Sequence, residues 1–399
     1  MNMRIATAWS AAGDPEQAIS GAYNHLVERI GGAPDLLLLH GSATYDWTRV
    51  LKRLNELAPG IPVHGGTSCL GVMTEDGFHS EHGVGLGLLG IVDPDGSYGI
   101  AAVEVGNDPY AAAAEATQCA LSQAGRPGEV PAMIWIFTVP GHEEQIIRGI
   151  EGVVGGNVPM AGGSSGDNTV TGEWQQFANG RVYRDAVVIM AMFPGREVCF
   201  AFHSGYEPTD CKGKVTRAEG RTLYEIDGRP AAEVYNEWLG GTLSDALCEG
   251  GSILGRVALH PLGRVVGAVG GVPYFILAHP DQISEGHALT LFADVTVGDE
   301  LILMRGTPAS LASRAGRVAA CALQNHGARA EEASGALVVF CAGCMLTVKE
   351  RMDEVIGGLR SALSGKPFLG VFTFGEQGRF IGGENRHGNL MISVLVFGG

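Results

Sequence analysis

A chain of 399 residues is long for a single core, and 45% hydrophobic against 18% charged residues is enough to bury two domains or a repeat assembly. Its 43 acids and 27 bases give a net charge of −16 with no run of Lys or Arg, which argues against nucleic acid or an anionic membrane as a partner. There is no basic-then-apolar leader over Met1 to Trp9, the longest uncharged apolar stretch (265–278) is interrupted by glycines and Pro273, and the eight cysteines are scattered, so a soluble cytoplasmic protein with reduced thiols is expected.

The predicted elements open with a strand over 4–9. Asp14-Pro15, a cap followed by proline at the first helical position, starts a helix to about 30. A strand over 36–40 and a helix over 46–57 follow. The segment Pro62-Val63-His64-Gly65-Gly66-Thr67-Ser68 then reads as a tight turn, and strands over 83–91 and 98–105 close the unit.

The pattern restarts at Asn107-Asp108-Pro109. A helix to about 123, a strand over 133–138 and a helix over 143–154 lead to a second turn, Pro159-Met160-Ala161-Gly162-Gly163-Ser164-Ser165, and a hairpin over 174–178 and 181–192. Pro15 and Pro109 lie 94 residues apart and Pro62 and Pro159 lie 97 apart, which marks a duplication. A looser third copy has a strand over 301–304, a helix from Thr307-Pro308 to about 325, a strand over 336–341 and a helix over 349–363. Residues 367–373 replace its turn, and strands run on to 397. Between the second and third copies lies a glycine-rich β stretch over 196–290 with one helix at about 231–239.

The expected fold is therefore α/β: repeated strand-helix-strand-helix-hairpin units forming mixed sheets, in two domains (1–200 and 201–399) with an interdomain cleft. The three turns are expected to open toward that cleft.

Several segments resemble the FIST family. His64-Gly65-Gly66-Thr67-Ser68-Cys69-Leu70-Gly71 and Gly162-Gly163-Ser164-Ser165-Gly166-Asp167 are similar to its N-terminal domain. Glu225-Ile226-Asp227-Gly228-Arg229-Pro230-Ala231 resembles the junction into its C-terminal domain, and Gly375-Glu376-Gln377-Gly378 with His387-Gly388-Asn389 resembles the closing motif. The resemblance implies a bacterial sensory protein that binds a small ligand and signals to a separate partner, such as a histidine kinase or a cyclic-nucleotide enzyme. It also implies an alternative, since a subset of the family are haem-binding nitric oxide sensors. Two departures stand out: Cys341-Ala342-Gly343-Cys344 lacks the arginine that often follows the cysteine of the third unit, and Arg386-His387-Gly388-Asn389 departs from the usual asparagine and glutamine after the histidine.

Read as chemistry, the glycine pairs either offer free N–H groups to an anion or let the chain pass close to a neighbouring strand. On the first reading, an amino-acid-like or anionic ligand contacts Gly65, Gly66, Thr67, Ser68, Gly162, Gly163, Ser164 and Ser165, with Thr373, Glu376 and His387 on the far wall. His387 or His203 would be the axial ligand of a haem. His40 reads as a core histidine at a strand end, and His79 with His82 lacks further metal ligands. Cys341 and Cys344 stand as packed thiols, a redox pair, or the nucleophile of a cysteine-dependent enzyme. No nucleotide loop, G-x-S-x-G elbow or H-E-x-x-H segment is present.

Overall fold

The structure is a computed structural model that describes residues 3–269, 271–380 and 383–398. The first unit runs β1 (Arg4–Ser10), α1 (Pro15–Ile30), β2 (Leu36–Gly41), α2 (Trp47–Leu57), β3 (Val63–Thr67), the hairpin β4 (Val72–Thr74) and β5 (Gly77–His79), and β6 (Leu86–Val92). The second repeats it: β7 (Ser97–Glu104), α3 (Pro109–Gln123), β8 (Met133–Thr138), α4 (Glu143–Val154), β9 (Met160–Ser164), the hairpin β10 (Gln176–Ala178) and β11 (Arg181–Tyr183), and β12 (Ala186–Phe193). Asp14, Asp46 and Asp108 each accept a backbone N–H at the start of their helix, and proline opens α1 and α3, so the cap signals act as read.

The third unit opens with β13 (Val198–His203), and an insertion follows at once. That insertion holds β14 (Glu207–Glu219), β15 (Thr222–Ile226), β16 (Arg229–Pro230), α5 (Ala231–Trp238), α6 (Ser244–Glu249), β17 (Gly251–Ser252), β18 (Leu262–Val269), β19 (Val272–Ala278), β20 (Pro280–Ser284), β21 (Ala288–Leu291) and β22 (Glu300–Arg305). These strands form one nine-stranded sheet. The unit then resumes with α7 (Pro308–Asn325), β23 (Gly335–Cys341), α8 (Ala342–Thr347), α9 (Met352–Ala362), β24 (Phe368–Thr373), the hairpin β25 (Glu376–Arg379) and β26 (Asn385–Gly388), and β27 (Ile392–Phe397).

The three units build three six-stranded sheets of one design: β1-β6-β2-β3-β10-β11, β7-β12-β8-β9-β25-β26 and β13-β27-β23-β24-β4-β5. In each, one parallel pair (β2/β3, β8/β9 or β23/β24) forms the middle. The outer two strands come from a different unit. The second unit's hairpin completes the first sheet, the third unit's completes the second, and the first unit's completes the third. The fold is mixed α/β, as expected. Two unit assignments change. The strand read at 98–105 as the end of the first unit is β7, which pairs β12 and opens the second. The strand read at 301–304 as the start of the third is β22, which pairs β14 and β18 in the inserted sheet, while β13, read as part of the intervening β stretch, pairs β27 and opens the third unit. The apolar faces of all three sheets meet in a shared core that includes Trp135, Phe137, Leu337 and Leu369.

The two glycine segments are not open turns. Residues 63–67 and 160–164 are strands β3 and β9, buried along their whole length, and 368–373 is strand β24. Each is hydrogen-bonded to a strand on either side. A Cβ on Gly65 would stand 1.8 Å from the Leu39 carbonyl oxygen, one on Gly66 2.3 Å from the Phe137 ring, and one on Gly163 2.4 Å from Thr373 Cγ2. Close approach to the neighbouring strand for Gly65, and to another unit for Gly66 and Gly163, rather than exposed N–H groups, is what requires these glycines.

Candidate functional site

The strand register superimposes three positions at the carboxyl ends of the parallel pairs. Thr67 lies beside Gly41, Ser164 beside Thr138, and Thr373 beside Cys341. Just beyond them the units are tied in a ring. Gly166 N donates to Thr67 O at 3.0 Å, Cys69 N to Phe372 O at 3.0 Å, and Ser164 N to Gly375 O at 2.8 Å. The three segments singled out in the sequence thus meet at one junction.

Their hydroxyls are already committed there. Thr67 Oγ1 accepts from Gln175 N (2.9 Å), and Ser68 Oγ accepts from Phe372 N (2.8 Å). Ser165 Oγ accepts from Gln176 Nε2 at 3.0 Å. Ser164 Oγ donates to Glu143 (2.6 Å) and accepts from Gln377 Nε2 (3.1 Å). Thr373 Oγ1 is 2.7 Å from Glu376 Oε1, whose other oxygen accepts from Met391 N at 2.9 Å. Gly65, Gly66, Gly162 and Gly163 contribute backbone to the same junction, which holds the fold together and leaves little for a ligand.

A cavity of about 380 Å³ lies just past the ends of β23 and β24. Its floor is Cys341, Ala342, Gly343, Thr373 and Phe374. Its roof comes from the insertion, through Leu254, Ala258, His279 and Phe292, and Val170 of the second unit with Leu346 flanks it. The volume falls in the range of small-molecule sites, and the carboxyl ends of parallel strands are where α/β sheets place ligands.

Asn389 ties roof to floor: its Oδ1 accepts from His279 N (3.2 Å), and its own N–H donates to Leu277 O (2.9 Å). His279 is buried, and burial lowers its pKa to about 4, so the ring is neutral at pH 7. One ring nitrogen lies against the Leu254 backbone, while Nε2 has no partner. A neutral imidazole can donate or accept at that nitrogen according to its tautomer. Of the ligand residues read from the sequence, only Thr373 lines this cavity. His279 ends the apolar strand β19, the same signal that drew attention to His40 and His203, and Asn389 stands in the closing motif.

His387 lies elsewhere. It lines a polar groove of about 630 Å³ between α4 and β26, with Glu144, Arg148, Arg264, Asp294 and Arg386. Its Nδ1 is 3.3 Å from Gln377 Nε2 and its Nε2 3.2 Å from Phe292 O, so both ring nitrogens are engaged and neither is offered to a haem iron. His203 ends β13, packed 6.0 Å from the Tyr274 ring and 6.4 Å from Phe380. Ligating atoms of His387, Glu143 and Glu144 lie within 4.8 Å of one another, a spacing that can hold a cation. A guanidinium already occupies that role: Arg221 Nη2 stands 2.6 Å from Glu143 and 2.9 Å from Glu144. Burial alone would raise the Glu143 pKa, but His387, Arg221 and the Ser164 hydrogen bond outweigh it and bring it down to about 2.

Cys341 and Cys344 open helix α8, which the sequence pattern missed because it placed the helix only from 349. Cys341 is the cap residue and Cys344 the third helical residue.

Residues 35–229 match the FIST N domain and residues 231–379 match the FIST C domain, so the chain belongs to the FIST family. FIST domains are small-ligand sensory domains of signalling proteins. The chain is 28% identical over 155 residues to an uncharacterized protein of Methanocaldococcus jannaschii, covering 37% of this chain but only 29% of that relative. Among solved structures, cyanuric acid hydrolase from A. caulinodans aligns over 100% of both chains at 9% identity with a TM-score of 0.39. PurLQS from Thermotoga maritima aligns over 99% of this chain and 72% of its own, also at 9% identity, with a TM-score of 0.22. Similarities of that size transfer neither activity to this chain. Among the described residues, no helix is long and apolar enough to cross a membrane.

Proposed function

We propose that this FIST protein senses a compact, mostly apolar molecule that carries a hydrogen-bonding group, bound in the 380 Å³ cavity between the β23/β24 strand ends and the insertion. The observation that supports this reading is the unpartnered Nε2 of His279 in a largely apolar enclosure. A buried polar nitrogen left without a partner costs about 1–3 kcal/mol, which a hydrogen bond to the ligand would recover. Thr373 and Asn389 supply the remaining polar edge. Because roof and floor belong to different sheets, a ligand that bridges them favours the closed arrangement of insertion and core and so changes the surface offered to a separate signalling partner.

Gly343 supplies the test. A Cβ there meets Leu390 at 3.4 Å, Cys341 Sγ at 3.8 Å and His279 Cε1 at 3.9 Å, all ordinary contacts. Gly343→Val should therefore fold and narrow the cavity. Compounds that raise Tm in the wild type should lose that effect in Gly343→Val and weaken in His279→Leu. Undiminished binding by both variants would defeat the assignment.

A second reading keeps the amino-acid-like or anionic ligand and moves it to the His387 groove. Arg148 favours it: this exposed guanidinium is in no ion pair among the described residues. Loss of carboxylate binding in Arg148→Gln with retention in Gly343→Val would select this groove.

A further inference from the structure

Beneath the cavity lies a buried charge that no carboxylate ion pair balances. The Arg314 guanidinium is 1% exposed and makes one hydrogen bond, Nη1 to Leu390 O at 2.8 Å. Its Nε and Nη2 are unpartnered, and no ion pair to a carboxylate involves it among the described residues. A buried cation of this kind requires a nearby anion. Glu376 is adjacent, but burial pushes its carboxyl well up, toward the neutral acid. Cys344 is the remaining neighbour. Tyr206 Oη lies 3.4 Å from its sulfur, and Cys341 at the cap of α8 and Cys344 in its first turn lie one helical turn apart. Burial opposes ionisation of Cys344, yet the Cys341 hydrogen bond and the Arg314 charge overcome it and hold its pKa below that of an ordinary thiol. Cys341 lies on the cavity floor and is 6% exposed, so the cavity leads to the pair.

We propose that Cys341 and Cys344 are a reversible dithiol–disulfide couple, oxidised by a hydroperoxide that enters through the cavity. The proposal uses the cavity as an access route and does not depend on its ligand. As Cys341 attacks, its proton passes to the Cys344 thiolate. The Cys341 sulfur takes the terminal peroxide oxygen as the O–O bond breaks, giving a sulfenic acid and an alkoxide that is protonated by solvent. The Cys344 sulfur then displaces hydroxide from the Cys341 sulfur, the S–S bond forms, and hydroxide leaves as water with the thiol proton. The two sulfurs together lose two electrons and the peroxide gains them. Oxidation removes the anion beside Arg314, so the buried charge balance changes with redox state.

Both cysteines fall in one tryptic peptide, 330–349, which makes the test direct. Full-length protein, with the exposed Cys119 and Cys248 changed to serine, is treated with tert-butyl hydroperoxide, alkylated and digested. The expected result is a loss of 2 Da in that peptide, reversed by dithiothreitol and slowed in Gly343→Val. Cys344→Ser should react about tenfold more slowly and stop at a dimedone-reactive sulfenic acid on Cys341, because an unassisted thiol is only a few per cent ionised at pH 7. A 330–349 peptide that stays fully alkylatable, or gains oxygen without losing 2 Da in the wild-type pair, would overturn the proposal. Disulfide formation in a protein that binds no ligand would retain this proposal and remove the sensing one.

Discussion

Arg221→Met tests the clasp between the insertion and the repeat core. Arg221 sits in the turn between β14 and β15 and reaches helix α4, where its Nη2 meets Glu143 at 2.6 Å and Glu144 at 2.9 Å, while Nε approaches Asp294 at 3.5 Å. The Glu143 side chain is 1% exposed, so the variant strands a buried carboxylate. Removing one partner of a buried pair costs about 3–5 kcal/mol, and the 19% exposure of Arg221 together with the Ser164 hydrogen bond on Glu143 places this case near 3. Unfolding entropy of roughly 2.1 cal/mol/K per residue over this chain converts that to a fall in Tm of about 4 °C. Differential scanning calorimetry at pH 7 measures it, and Glu143→Gln/Arg221→Met should lose less than the sum of the single variants. A shift under 1 °C, or strict additivity, would refute the reasoning. Glu143 also fixes a pH signature. Its folded pKa of about 2 lies below the unfolded value, so its contribution is present above about pH 4.5 and is lost as pH falls toward 2. Glu143→Gln should flatten that loss.

A different acid window belongs to the buried histidines. Burial lowers His40 and His279 to about 4 and His64 to about 3, so each resists protonation in the fold but not in the unfolded chain. Stability from them is complete above about pH 6.5 and falls toward pH 4, by about 2–3 kcal/mol each at pH 4.5. Urea unfolding at pH 7 and 4.5 should show the drop, and an equal drop in His64→Leu would argue against it. At the junction of the second and third units, Gly163→Ala drives its methyl into Thr373 Cγ2 and should cost about 1–3 kcal/mol. Thr373→Ser removes that methyl, so the double variant should recover part of the loss in thermal melts; no recovery would place the strain elsewhere. Gly343→Val should melt within about 2 °C of the wild type, because a Cβ there stands at ordinary contact distances and the cavity lies beside it; a larger fall would mean that the cavity cannot be narrowed without cost.

Local signals carried much of the fold. Asp14-Pro15, Asp108-Pro109 and Thr307-Pro308 start helices where the capping pattern puts them, and the apolar runs at 36–40, 133–138 and 336–341 are the buried strands beside the junction. The sequence locates the glycine pairs but reads as turns what the fold holds as strands. A Gly-Gly-hydroxyl string looks the same whether it turns in solvent or runs as a strand under another unit's side chain, and Phe137 and Thr373, which decide the matter, are distant in sequence. The cavity was invisible for a similar reason. His279 and Phe292 belong to the insertion and Cys341 to the third unit, and only tertiary folding brings them together. Helix α8 escaped because Ala342-Gly343-Cys344-Met345 has too few residues to show a period.

The circular exchange of hairpins has a consequence for how this molecule can be taken apart. Each sheet borrows its outer two strands from another unit, and the loans run in a closed cycle: second to first, third to second, first to third. Excising any unit would bare a strand edge on one neighbour and leave another hairpin without a host. The border between the two FIST segments crosses this cycle, so fragments cut near residue 230 should not behave as independent folding bodies. In symmetry terms, the arrangement is that of a domain-swapped trimer written into one polypeptide. Joining three subunits in one chain frees each copy to diverge, and among the described residues only the third carries an inserted sheet, with the cavity beneath it.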